Sequence, residues 1–416
     1  MRTSWRLLLA GALAATAGAA RAQMPEAAAE HGATTFYVAP ASAGYAGQQE
    51  PASLPAQGEP TGQPQPGSEA QVPPIEQRRH FSRRMQFGRP GQSFALDTRY
   101  GKVRINAWDK AELKVEAELI ARAETPATAA QLLDGLGMQW LNYDARTGGV
   151  SVSSQFGPGL KGKCSGSGGG CRRYEVNYTI WLPASAALKL TAAFAAVTIA
   201  DDWQGPLQVA VSYGSLRTGR LLGAPSTVRI ANGDATLPYV RQASLEADYA
   251  RLRVTGGEQL TLHTNYSDVD LGTVQDLTVH SKYGDVALGS VRTLRGSSGY
   301  SRFSVDKLSE GLDMAVRYCP DFEVRDMGAG FKQITLDGDN STIRLGFAEE
   351  TPSFRFDVST EQGQLLVDKK LVRVLQQGEN QPGIADVLGV YGGRVPGRRA
   401  GNVNIRVRYG TVRFSK

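Results

Sequence analysis

The chain has 416 residues, with 48 glycines, 20 prolines, 8% aromatic residues and a formal charge of +6. Three cysteines and four histidines exclude a disulfide framework and a four-thiolate zinc site, and leave little room for metal chemistry. Glycine and proline are in excess of a typical globular composition yet far short of collagen, so the excess has to be local or periodic.

Residues 1–22 carry Arg2 and Arg6, then an apolar run from Leu7 to Ala19 and the small-residue site Ala20-Arg21-Ala22, the layout of a secretory signal peptide. Cleavage removes three arginines and no acid, so the charge falls from +6 to +3, which with export argues against nucleic-acid binding. No other run is long and apolar enough for a membrane-spanning helix. Residues 23–79 hold nine of the twenty prolines among Gly, Ala, Gln and Ser, the composition of a flexible, partly polyproline spacer. The basic run from Arg78 to Arg84 reads as a charged edge strand in preference to a contact for acidic polysaccharide or lipid headgroups.

Residues 80–187 form an irregular N-terminal part with strands expected at 93–107, 113–120, 149–156 and 174–182 and a helix at 128–136, placed to pair with or cap the first repeats. Cys164 and Cys171 bracket a Ser/Gly loop able to close, and in an exported protein the simplest reading is a local disulfide. Cys319 is left over and is expected to be buried or weakly reactive, since no neighbouring histidine would activate it.

From residue 188 to 416 the sequence repeats. Tyr249, Tyr266, Tyr283 and Tyr300 stand 17 residues apart, each opening a block such as Tyr266-Ser-Asp-Val-Asp-Leu or Tyr283-Gly-Asp-Val-Ala-Leu. Looser copies begin at Phe194, Tyr213, Asn232, Tyr318, Asn340 and Tyr409, and an early one, Tyr100-Gly-Lys-Val-Arg-Ile, lies ahead of the array. A fixed period of this size, filled by short strands alternating apolar and polar residues, predicts an all-β parallel β-helix or β-solenoid with coils of about 17–19 residues. Equivalent residues then sit about 4.8 Å apart, so that Tyr213, Tyr249, Tyr266, Tyr283, Tyr300 and Tyr318 become a structural ladder. Gly256, Gly272 and Gly289 are expected at corners needing positive φ. Residues 378–401 read as a loop-rich insertion before the final strand.

The same register lines up Asp234, Arg251, Asp268, Asp285 and Arg302, beside Thr236, Arg253, Asp270, Ala287 and Ser304. These are solubilising charge ladders in preference to a calcium site or sugar-cleaving acid pair at Asp268, Asp270 and Asp285. Glu246, His263 and His280 form the one column that could hold a transition metal; two stacked surface histidines produced by repeat duplication is the preferred account.

The segment Leu96 to Lys110, with Tyr100-Gly and Trp108, the stretch Asn177-Tyr-Thr-Ile-Trp-Leu-Pro183 and the repeated tyrosine blocks together resemble the bacterial "putative-adhesin" β-strand repeat family, over residues 80–416. That resemblance implies a parallel β-helix at the cell envelope and supplies no catalytic residues. The expected function is a non-enzymatic, monomeric binding or scaffold protein, without cofactor, in the periplasm, on the outer-membrane surface or outside the cell. It would present a stacked face to an envelope protein or polysaccharide. The alternatives are a carbohydrate-active β-helix lyase or hydrolase and a periplasmic accessory of envelope stress signalling.

Overall fold

A computed structural model describes residues 74–416 apart from 90, 145–147, 161–172, 349, 382, 393–395 and 398–399, and these described residues belong to one compact unit, Ala70–Lys416. The expected signal peptide, the expected spacer up to residue 73 and the expected Cys164–Cys171 disulfide fall outside the described residues.

The described residues are all-β with one short α-helix. In order it forms β1 (Ile75–Gln86), β2 (Ser93–Trp108), β3 (Glu112–Ala123), α1 (Pro126–Asp134), β4 (Leu136–Asp144), β5 (Gly149–Phe156), β6 (Tyr174–Pro183) and β7 (Ala187–Ile199). The repeat region continues as β8 (Leu207–Ser212), β9 (Ser215–Thr218), β10 (Ser226–Ala231), β11 (Asp234–Leu237), β12 (Val240–Asp248), β13 (Arg251–Asn265) and the long β14 (Asp268–Arg317). The C-terminal part comprises β15 (Asp321–Met327), β16 (Gln333–Asp339), β17 (Thr342–Phe347), β18 (Phe354–Glu361), β19 (Gln364–Leu366), β20 (Val372–Gln381), β21 (Ile384–Tyr391), β22 (Asn402–Arg408) and β23 (Thr411–Ser415). Ile75 already starts β1, inside the stretch expected as spacer.

Pairing in the repeats is parallel and one repeat on. Leu245 pairs with Leu262 and Leu262 with Val279; Leu252 pairs with Val269; Val240 pairs with Gly257 and Gly257 with Val274. Each repeat therefore contributes three runs to three columns of strands. Alternate residues, such as Leu245, Leu262 and Val279 on one run and Leu252 and Val269 on the next, turn inward and are buried. The offset is 17 residues between β12 and β13, 19 between β8 and β10, and 22 where Gly311 pairs with Gln333. The repeat thus lengthens beyond the range expected from sequence.

Both ends of the parallel stack depart from chain order. β2 pairs in parallel with β7, Val103 beside Val197, which brings the isolated Tyr100 block into the array although the helix and four strands intervene. On its other side β2 meets β5 and β6 in parallel; β4, β3 and β1 then add antiparallel strands, with β1 paired to β3. At the C-terminal side β22 and β23 slide between β16–β17 and β18–β19, so the last segment of the chain is not the last layer. The first part of the stretch expected as a loop-rich insertion, up to Tyr391, belongs to an antiparallel hairpin, β20–β21, and β21 also lies antiparallel on β18. Parallel edges invite pairing with other chains, and antiparallel strands at either end occupy them.

Helix α1 begins after Thr125, whose Oγ1 accepts a hydrogen bond from the Thr128 amide, with Pro126 in the first turn, and it buries Ala129, Leu132 and Leu133. The basic residues of β1 are largely engaged on the protein itself: Arg78 with Glu118 at 2.9 Å, Arg79 with Asp134 at 2.6 Å, and Arg83 4.8 Å above the Trp140 ring.

Candidate functional site

The positive-φ corner of each repeat is the tyrosine position, where glycine would be the inexpensive choice. Tyr100, Phe194, Tyr213, Asn232, Tyr249, Tyr266, Tyr283, Tyr300, Tyr318, Asn340, Gln362 and Tyr409 all lie between φ 47° and 58°. A left-handed backbone costs an L-residue about 1–2 kcal/mol. Stacking offsets it: each aromatic pair contributes about 0.5–1.5 kcal/mol beyond simple burial. Gly256, Gly272 and Gly289 have no positive φ, correcting the expectation. At Gly272 the reason for glycine is close approach, because a Cβ there would lie 2.2 Å from the Thr255 carbonyl oxygen.

The residue after each corner is small for a related reason. Beside Gly284 a Cβ would come within 2.2 Å of the Ser267 carbonyl oxygen. Where serine replaces glycine its hydroxyl secures the corner: Ser267 Oγ accepts from the Ala250 amide at 3.0 Å and reaches the Asn265 carbonyl at 2.9 Å, and Ser341 Oγ accepts from the Cys319 amide at 3.0 Å. Cys319 occupies this small-residue position and is fully buried.

The corner side chains form an outward row, stacked wherever successive corners are aromatic. Ring centroids are 4.9 Å apart for Tyr249–Tyr266, 4.6 Å for Tyr266–Tyr283, 5.1 Å for Tyr283–Tyr300 and 4.9 Å for Tyr300–Tyr318, with planes within 23°. A second stack joins Tyr100, Phe194 and Tyr213 at 5.3 and 4.9 Å. Most of these rings stay about half exposed, which is unusual for so much aromatic surface. Asn232 interrupts the ladder between Tyr213 and Tyr249, and Asn340 interrupts it after Tyr318.

Beside the ladder runs a cleft of about 660 Å³ lined by His280, Lys282, Gly299, Tyr300, Arg317 and Tyr318. Gly299 leaves a notch in the column of side chains preceding the tyrosines, between Lys282 and Arg317. Lys282 Nζ lies 5.1 Å from the centre of the Tyr283 ring, and neither cation forms an ion pair among the described residues.

The other columns are self-neutralised. Arg253 bonds Asp270 at 3.1 Å, Arg302 bonds Asp285 at 2.6 Å and Arg251 approaches Asp234 at 3.9 Å. The Asp285 carboxylate holding Arg302 raises the guanidinium pKa further above its ordinary value. Asp268, Asp270 and Asp285 are thus brought together by register with arginines on either side. His263 and His280 stack at 5.1 Å, and His280 Nδ1 is 3.1 Å from Ser297 Oγ. Glu246, one repeat before His263, is ion-paired to Arg229 at 2.8 Å. Among the described residues no three His, Cys, Asp or Glu side chains gather as a metal site. No helix there is long and apolar enough to cross a membrane.

No family model and no curated protein matches this sequence. The chain is similar to solved structures named a putative adhesin from Parabacteroides merdae (8% identity, 81% of this chain and 97% of that one, TM-score 0.31) and a putative adhesin from Parabacteroides distasonis (9%, 81% and 97%, TM-score 0.30). A putative cell adhesion protein from Clostridium sporogenes aligns over 81% of this chain and 99% of its own at 10% identity and a TM-score of 0.16.

Proposed function

We propose that this chain is an exported, non-enzymatic β-solenoid that serves as an adhesin-like binding or scaffold protein, presenting its tyrosine face to a polysaccharide or protein of the cell envelope. The observation that carries the reading is the ladder of five consecutive stacked rings, Tyr249 to Tyr318, four of them about half exposed. Stacking fixes the rings before any ligand arrives, so little side-chain entropy remains to be lost on binding. Their regular spacing suits an extended partner that repeats along its own axis. Export is supported by the N-terminal 22 residues, and the solenoid by the one-repeat parallel register.

The test is a binding screen of the full chain against purified glycans and cell-envelope fractions. Retention by at least one polysaccharide or envelope protein is the expected result. Absence of any retention, or turnover of a glycan by the chain, would overturn the reading.

A further inference from the structure

A continuous aromatic stack hides the ring faces against one another and shows a ligand mainly edges and hydroxyls. Faces open only where the stack is broken, and Asn232 breaks it. Ala231 pairs with Ser212 on one side and Asp248 on the other, so Asn232 sits one repeat from Tyr213 and one from Tyr249. The two rings are then about 9.6 Å apart, two strand spacings. The short asparagine side chain cannot cover them. Tyr213 and Tyr249 are 56% and 58% exposed, against 49%, 48% and 46% for Tyr266, Tyr300 and Tyr318.

We propose that the gap above Asn232 is a slot that takes one neutral pyranose ring of a polysaccharide, sandwiched between Tyr213 and Tyr249. The proposal rests on the reading of this face as a binding face. A ring centred in the slot lies about 4.8 Å from either neighbour, within the 4.6 to 5.1 Å range of the ladder's own tyrosine pairs. The C–H faces of a pyranose are electropositive and match the negative faces of the two tyrosines. At the floor the Asn232 amide offers both donors and an acceptor to sugar hydroxyls. Exposed Asp248 disfavours an anionic sugar, and the nearby arginines are already paired, Arg229 with Glu246 at 2.8 Å and Arg251 with Asp234 at 3.9 Å. The Asn340 gap differs: its Nδ2 donates to Asp339 at 3.0 Å, and the Tyr318 ring beside it is the least open of the exposed tyrosines.

The test is ligand-detected NMR of the full chain with a panel of neutral hexasaccharides built from glucose, mannose, xylose or N-acetylglucosamine. At least one binds the wild type. Asn232→Tyr places a ring where the other corners carry one, so the variant folds with an equal or higher melting temperature and binds about tenfold more weakly or not at all. Tyr249→Asn, which removes one wall while keeping a residue suited to positive φ, also weakens binding, and Asn340→Tyr leaves it unchanged. Equal binding by wild type and Asn232→Tyr overturns the slot, as does a panel in which only N-acetyltyrosinamide, added as an aromatic probe, competes for it. Failure of every hexasaccharide also overturns it; retention on whole envelope polysaccharide in that case leaves the broader reading standing, and its loss removes both.

Discussion

Tyr266 and Tyr283 stack with ring centroids 4.6 Å apart and planes 13° apart, and both hold their backbones at positive φ, 48° and 55°. The strained corner and the ring stack are one device: the left-handed backbone aims each side chain along the same outward row, and the neighbouring ring offsets its cost. Tyr283→Asn therefore loses the stacks on both sides, about 1–3 kcal/mol, and keeps a residue suited to the corner. Tyr283→Val adds a further strain of about 1–2 kcal/mol, because a β-branched side chain fits this backbone poorly. Urea midpoints of the two variants measure the difference, and equal midpoints would separate the corner from the stack.

Ser267 holds the next position. Its Oγ accepts the buried Ala250 amide and reaches the half-buried Asn265 carbonyl. Ser267→Ala leaves that amide without its partner and is expected to lower stability by about 1–3 kcal/mol in denaturant titrations. Ser267→Gly removes the same hydroxyl and tests whether the hydroxyl, not the Cβ, is what matters.

Two glycines that look alike in sequence should behave differently. At Gly272 an added Cβ meets the Thr255 carbonyl oxygen at 2.2 Å, whereas at Gly256 the nearest atom is 3.4 Å away in the Tyr239 side chain. Gly272→Ala should cost about 1–3 kcal/mol by forcing neighbouring strands apart, and Gly256→Ala should stay within about 0.5 kcal/mol of the wild type. Thermal unfolding of both variants decides it.

Alkaline stability should report Tyr178. Its ring is 1% exposed beneath β2, its hydroxyl is 2.8 Å from Ser154 Oγ, and burial pushes its pKa up to about 12. The folded protein keeps the proton over a range where the unfolded chain, with a pKa of about 10, has lost it. The contribution is fully present below pH about 10 and is lost as the pH rises toward about 12, up to about 2–3 kcal/mol. Tyr174 and Tyr391, also raised by burial, act in the same direction. The difference between wild type and Tyr178→Phe across this window therefore isolates Tyr178, and parallel curves would contradict its assignment.

How much of this was legible in the sequence depends on whether a feature is periodic. The spacing of Tyr249, Tyr266, Tyr283 and Tyr300 is enough to place them in one row, and the Arg253–Asp270 and Arg302–Asp285 pairs follow from the same register. Strands β2, β3, β5 and β6 and the helix after Pro126 were likewise readable, although the helix runs Pro126–Asp134 and not 128–136, and β4, which starts at Leu136, was not. Positive φ at tyrosine was not, since local propensity points to glycine there and only the neighbouring repeat makes tyrosine affordable. Nor was the union of Tyr100 with Phe194, ring to ring at 5.3 Å, because 93 residues of inserted strands and helix conceal it. The insertion of β22 and β23 between earlier strands is concealed in the same way: period fixes neighbours within a run and is silent where the chain leaves the stack and returns. Asn232 stands in the sequence only as a looser copy of the repeat, and the openness of its neighbours Tyr213 and Tyr249 needed the structure.

The most direct measurement of the central claim is retention of the full chain on purified envelope polysaccharide, compared with the double variant Tyr249→Asn, Tyr266→Asn, which removes one wall of the proposed slot and two rings of the ladder. The wild type should be retained, and the variant, with an unchanged β-type circular dichroism spectrum, should elute early. Equal retention of the two, or passage of the wild type unretained, would contradict the assignment of the tyrosine ladder as the binding face.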